Sequence, residues 1–452
     1  MNRTFASLLA AITLAATAAA AQGPPSYLNQ TTCVSGTCIT GGALQMQNVD
    51  CSAGQKISTA LASMTDRNGP NIINLSGTCN EPMNIVGFNR LTVAGSATLM
   101  QPVNINGSGN ISLNDLTIAG PNGLFVGAST ANITNVTVRN SNGHGIVVAG
   151  GSNLLLNGIA PGNVITNNAF DGINIGPGSS VGIGGNETIT SNGWSGVAVH
   201  DGGQANITSG NVNGVVDISN NGESGVQAEL QSSVYLRAIQ VGAGGSPMIH
   251  IHGNGSNGVE IIASTGVLEG NVVVENNTPD HDPLFGGAVA VAGGVLAINP
   301  GVQISGGSAG IIANVQSKVV LGDSSMAGLS TITGGTTGVS LLNGSMVLGL
   351  GPNTISSIEC DATSWTSGSY GTVVGGNSCG DGAPTGLVGP TGPAGPAGPA
   401  GSAVSGSLLF LIEGSAEPSG YVRVGSYREE RVDLDAPGGR KTRLMIVIWR
   451  KL

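Results

Sequence analysis

One phrase recurs along the middle of this chain: an aliphatic residue, three positions later a polar residue that is usually Asn, and four further on a Gly followed by an aliphatic. It reads Ile165, Asn168, Gly172, Ile173; then Ile189, Asn192, Gly196, Val197; then Ile218, Asn221, Gly225, Val226; then Ile251, Asn254, Gly258, Val259. Val138, Ser141, Gly145 and Ile146 repeat it with Ser for Asn, and weaker copies follow at Gly287, Gly310 and Gly338. From Gly145 onward the anchoring glycines stand 27, 24, 29 and 33 residues apart. Between residues 82 and 358 short Val/Ile/Leu runs alternate with Asn, Gly and Ser clusters, the signature of many short strands joined by tight turns. Such a period is too long for hexapeptide repeats and the segment too poor in helix for leucine-rich repeats. It predicts an all-β, three-sided parallel β-helix with three strands per coil. One coil cannot bury its apolar face alone, but stacking at ~4.8 Å piles equivalent Val and Ile residues into a dry interior. The recurring Asn is expected to stack at one corner, its amide bonding to neighbouring coils and its backbone turning left-handed.

Composition agrees. With 76 Gly, 3% aromatic and 9% charged residues, the chain has to build its core from small repeated apolar units. The first 21 residues carry one early charge, Arg3, then an apolar run and an Ala-x-Ala end, and read as a secretory signal peptide (1–21) followed by an N-terminal extension (22–47). No later run is long enough to span a bilayer, so a secreted, extracellular or cell-surface protein is expected. The net charge of −10 is unsuited to nucleic acid, which needs a Lys/Arg patch. The six cysteines of an exported chain read as disulfides, and locality suggests Cys33 with Cys38, Cys51 with Cys79, and Cys360 with Cys379, although six cysteines allow fifteen connectivities.

Residues 50–64 read as a capped amphipathic helix with Ile57, Leu61 and Met64 on one face, placed to close the open end of the coils. Val49-Asp50-Cys51 through Ser76-Gly77-Thr78-Cys79-Asn80-Glu81, followed by the coils, resembles the secreted right-handed parallel β-helix proteins of the pectate-lyase-like superfamily over about residues 48–380. The resemblance implies the scaffold and not a reaction, because that superfamily carries polysaccharide lyases, hydrolases, epimerases and adhesins on one fold.

Six Gly-X-Y triplets occupy 386–403, a collagen-like spacing that suggests a homotrimer. Residues 404–452 read as a small β-rich module with strands near 408–413, 421–427 and 443–451. The stretch Pro418-Ser-Gly-Tyr-Val-Arg-Val-Gly-Ser-Tyr resembles modules that follow collagen-like segments in some bacterial surface proteins.

Alternation along each strand fixes what faces outward. Counting from the anchoring glycines places Asn174, Ala198, Gln227 and Glu260 in one outward column and His200 and Glu229 in the next, with Glu260 diagonal to Glu229. His200, Glu229 and Glu260 are the candidate catalytic groups; Asn174 and Gln227 are candidate binding groups, joined by Asp280, His281 and Asp282 in the insertion 278–285. His250 and His252 are read as a solvent-facing pair, and neither a metal-ligand motif nor a cofactor motif is found. Asn142-Gly143-His144-Gly145-Ile146 resembles the Gly-His-Gly of polygalacturonases without that family's paired aspartates and Arg-x-Lys, so His144 is placed in the ordinary turn before each anchoring Gly, like Asp171, Ser195 and Ser224. The expectation is a structural or glycan- and surface-binding scaffold. An extracellular polysaccharide lyase, hydrolase or epimerase is the alternative, and the question of catalysis stays open.

Overall fold

The computed structural model describes residues 33–34, 37–38, 44–209, 214–238, 248–277, 286–322, 329–379, 408–412, 419–433 and 440–451. The expected signal peptide (1–21), the Gly-X-Y triplets and the insertion carrying Asp280, His281 and Asp282 lie outside the described residues. So does the bond proposed between Cys33 and Cys38, whose backbones stand opposite each other in a two-stranded antiparallel pair.

The chain winds as a right-handed parallel β-helix. One face is a twelve-stranded parallel sheet running from Met83–Val86 to Ile358–Cys360. The other two faces join into a 23-stranded sheet, because long strands such as Asn153–Thr166 and Ser180–Thr190 continue through the corner between them. Equivalent inward residues stack coil on coil: Ile85 on Ile105, Val126, Val148, Ile175 and Val199, all fully buried. Each such side chain contributes about 1.5–3 kcal/mol by leaving water, so the core is a column of small aliphatics instead of an aromatic cluster.

The asparagines form the expected corner ladder. The side-chain amide of Asn168 donates to Asn192 Oδ1 (2.9 Å), Asn192 to Asn221 (2.9 Å), Asn221 to Asn254 (2.9 Å) and Asn254 to Asn277 (2.8 Å), all buried. Ser141 takes the first position, its backbone N–H donating to Asn168 Oδ1. The expectation of a left-handed backbone belongs one residue earlier. Asn140, Asn167, Ser191, Asn220, Gly253 and Asn276 hold positive φ, whereas the ladder asparagines do not. The turn is thus shared between one residue that reverses the backbone and the next, which seals it with its amide.

The anchoring glycines follow from the ladder. A Cβ on Gly196 would lie 2.8 Å from the Asn221 amide nitrogen and 2.7 Å from the Gly225 carbonyl oxygen. The ladder ends at Asn277, and there the requirement lifts: Gly258 is matched on the next coil by Ala288, since Val259 pairs with Val289, so Gly287 is one residue out of the expected register. A second ladder, which the repeat phrase did not reveal, runs along another corner. The backbone N–H of Ser108 donates to Ser129 Oγ, Ser129 to Ser152 and Ser152 to Ser179, again buried.

The N-terminal end is closed as expected by a helix, Ile57–Ser63, which buries Ile57, Ala60 and Leu61, with Met64 buried beyond it. Asp50 caps a short 3-10 turn, Cys51–Ala53, instead of this helix. The helix start is satisfied from a distance, the Glu81 carboxylate accepting from the Ile57 N–H and the Ser58 hydroxyl. Disulfides join Cys51 to Cys79 and Cys360 to Cys379 at the two ends. Beyond the coils, Leu408–Ile412, Arg440–Lys451 and Tyr421–Asp433 form an antiparallel sheet with Arg440–Lys451 in the middle, the last two strands running further than expected. Val424 packs on Val315, and Asn343 Nδ2 donates to the Val424 carbonyl at 3.0 Å.

Candidate functional site

The outward columns fall where alternation put them. Asn174 pairs with Ala198, Ala198 with Gln227 and Gln227 with Glu260, while Glu229 pairs with Ile262, leaving Glu260 diagonal to Glu229. Ala198 is too small to reach water and is 1% exposed, so the column has a dent there. Gln227 spans it: its Oε1 accepts from Ser195 Oγ at 3.1 Å, and its Nε2 donates to Glu229 Oε1 at 2.9 Å and Glu260 Oε2 at 3.3 Å. Ser224 Oγ donates to the same Glu260 oxygen at 2.8 Å, and His200 Nδ1 lies 3.6 Å from Glu229 Oε2.

The turn column joins this network. Asp171 is buried, takes the Ser195 N–H on Oδ1 at 3.0 Å and the Asn174 amide on Oδ2 at 3.0 Å, and has His144 Nδ1 3.0 Å from Oδ2. The Asp171 N–H also approaches that nitrogen, at 3.3 Å. One nitrogen cannot accept from the amide and donate to the carboxylate at once; the shorter contact to a charged acceptor favours Nδ1–H donating to Oδ2. His144 therefore sits in the expected turn but is not an idle turn residue.

Beside it stand two aromatics that lie outside the columns predicted from alternation. Phe170 and Trp194 stack with ring centroids 4.2 Å apart and planes 13° from parallel, and His144 meets Phe170 edge-on at 5.3 Å. Each lies two positions before an anchoring Gly, so the repeat phrase itself places them in one column with Glu223 and Ser256. All three rings are partly exposed. The result is a strip over five coils, with an apolar aromatic ridge at one edge and amide, hydroxyl, imidazole and carboxylate groups beside it.

Charge is distributed unevenly along the strip. Burial pushes the Glu260 carboxyl up to about 7, reinforced by the negative charge of Glu229 and opposed by the Ser224 hydrogen bond. It therefore titrates near neutrality instead of in the ordinary carboxylate range. Burial works against the His200 imidazolium, but Glu229, with Asp171 and Asp201, outweighs it and holds the ring above its ordinary value. None of the twelve strands of this face contains Lys or Arg.

Residues 103–311 match the family described as right handed beta helix region. The strip lies wholly inside that matched part of the β-helix. Among solved structures, the β-helix is similar to the A-module of mannuronan C-5 epimerase from Azotobacter vinelandii, at 16% identity over 69% of this chain and 95% of that one, with a TM-score of 0.35. It is also similar to the Dettilon tailspike protein, at 11% identity over 87% of this chain and 90% of that one, with a TM-score of 0.30. No curated protein matches the chain.

Proposed function

We propose that this protein is an extracellular β-helix scaffold that binds a neutral or amino-bearing glycan along the strip from His144 to Glu260. The observation that carries this reading is the Phe170–Trp194 stack set beside the His144–Asp171 pair and the Gln227–Glu229–Glu260 network. Sugar rings present C–H faces and hydroxyl edges together, and a site for them pairs aromatic surface with a few convergent polar groups. Coils spaced ~4.8 Å apart repeat at close to the length of one hexose in an extended chain, so successive sugars meet equivalent positions. The strands of this face carry no Lys or Arg, and its imidazoles His144 and His200 already face Asp171 and Glu229, which disfavours a uronate polymer, whose carboxylates would find no unengaged cation there. In this reading the Gly-X-Y triplets 386–403 gather three chains, and the weak contacts of one strip multiply through avidity.

A second reading, glycan hydrolysis, is favoured by one observation: Glu260, its carboxyl raised to about 7, stands beside a second carboxyl, Glu229, and glycoside cleavage uses a pair of carboxyls of which one has a raised value. The test is an array of neutral, amino and acidic polysaccharides incubated with the protein, recording both bound protein and released oligosaccharide. Trp194→Ala is expected to weaken binding of a neutral or amino glycan at least about tenfold with the circular dichroism unchanged. Release that disappears in Glu260→Gln would establish the hydrolase; binding without release establishes the scaffold. Absence of binding to every glycan, or unchanged affinity in Trp194→Ala, would overturn the proposal.

A further inference from the structure

On a different face, away from the strip, three successive strands, Val215–Ser219, Met248–His252 and Val272–Glu275, stack in parallel. Register sets Asp217 beside His250, and His252 beside Glu275. His250 and His252 are two apart on one strand and point the same way, their rings stacked at 4.0 Å and 28°. Each imidazole crosses to the carboxylate on the diagonal. His252 Nε2 lies 3.1 Å from Asp217 Oδ1, and His250 Nε2 lies 3.0 Å from Glu275 Oε1. One ligand atom from each of Asp217, His250 and His252 falls within 4.8 Å of the others.

One feature distinguishes this group from a pair of surface ion pairs. Asp217 Oδ1 is closed off from water and accepts no hydrogen bond among the described residues, although His252 Nε2 stands 3.1 Å away. A buried carboxylate oxygen left in that state is unfavourable unless something positive meets it.

We propose that Asp217, His250 and His252, with Glu275 as a fourth ligand, form a binding site for a divalent transition metal of the zinc class. Two imidazoles and two carboxylates suit zinc, copper or nickel, whereas calcium and magnesium prefer all-oxygen shells. Ligand bonds of about 2.0–2.2 Å require the Asp217, His250 and His252 donor atoms to draw in by about an ångström and Glu275 to swing in beside them, within reach of side-chain rotation for partly exposed groups. Four protein ligands close a tetrahedral shell, so the metal would act as a strap across three coils, independent of the glycan strip.

The site is tested by titrating the metal-stripped full chain with Zn²⁺ in a calorimeter and with Co²⁺ in a spectrophotometer. The expected result is one equivalent of Zn²⁺ per chain, a Co²⁺ visible spectrum of tetrahedral intensity, and a melting temperature raised by roughly 2–5 °C at saturation. His250→Gln with His252→Gln should abolish all three while leaving the far-ultraviolet circular dichroism unchanged, and Glu275→Gln should weaken Zn²⁺ at least about tenfold. Absence of stoichiometric Zn²⁺ would overturn the proposal. So would Zn²⁺ retained by the double variant, which would place the metal elsewhere in the chain.

Discussion

Glu187 is 1% exposed, inside a protein with few charges to spare, and no part of the candidate strip explains it. Alternation along Ser180–Thr190 points Val181, Ile183 and Ile189 inward, and by the same parity Glu187 with them. That signal is present in the sequence as a carboxylate on the parity that alternation reserves for apolar residues. The adjoining strand shifts register between Gly158 and Asn163, which frees the Gly158 N–H and the Asn163 amide to donate to Glu187 Oε1 at 2.7 and 3.0 Å. Burial outweighs both bonds and pushes the carboxyl from 4.5 up to about 8, so the folded protein holds it protonated at neutral pH. A carboxyl whose folded value is raised binds its proton more tightly in the native state. The stability this contributes is complete below about pH 4.5 and is lost progressively as pH rises to about 8. Glu187→Gln keeps the acceptor and removes the titration. The variant should therefore gain on the parent between pH 5 and 8, by on the order of 3 kcal/mol, read from urea midpoints at the two pH values. A difference that does not change with pH would mean that Glu187 is ionised in the fold.

At the level of the coil, the two corner ladders differ in how far the sequence betrays them. The Asn ladder was legible because its residue is uncommon in that register and stands a fixed four positions before Gly. The Ser ladder was not: its steps of 21, 23 and 27 residues follow coils of changing length, and Ser is equally at home in any exposed turn. The division of labour within the Asn corner gives a paired prediction. Asn221 accepts from the Asn192 N–H and amide and donates to the Ile189 carbonyl and Asn254, so Asn221→Ala strands several buried groups at once. It should cost about 3 kcal/mol or more. Its neighbour Asn220 supplies only a left-handed backbone, φ 54°, and Gly253 takes the same place one coil on. Asn220→Gly should therefore shift the urea midpoint little. Equal losses in the two variants would show that the ladder amides contribute no more than a turn residue does. The strip on the twelve-stranded face follows the same logic. Its columns were legible from the glycine register, whereas the His144–Asp171 pair was not, because it depends on side chains reaching between coils 27 residues apart in sequence.

Over the whole molecule, a stack of coils is only as secure as its ends. Each coil touches only its neighbours, so an interior coil has two partners and a terminal coil one, and opening begins where a partner is missing. At the N-terminal end the missing partner is replaced by the Ile57–Ser63 helix, clipped by Glu81 and by the Cys51–Cys79 bond, which ties the 3-10 turn to a strand 28 residues later. Closing a loop of that length is worth roughly 3–4 kcal/mol. In a stack that figure acts locally, because the coils beyond about residue 100 gain nothing from the bond directly. Replacing both cysteines by serine should consequently release the cap without melting the middle. Hydrogen exchange followed by mass spectrometry should show protection falling over residues 44–99 while the Asn-ladder coils from Asn168 to Asn277 keep theirs. Loss of protection along the entire chain at one rate would instead make the coils a single cooperative unit, stabilised from end to end by a lock at one terminus.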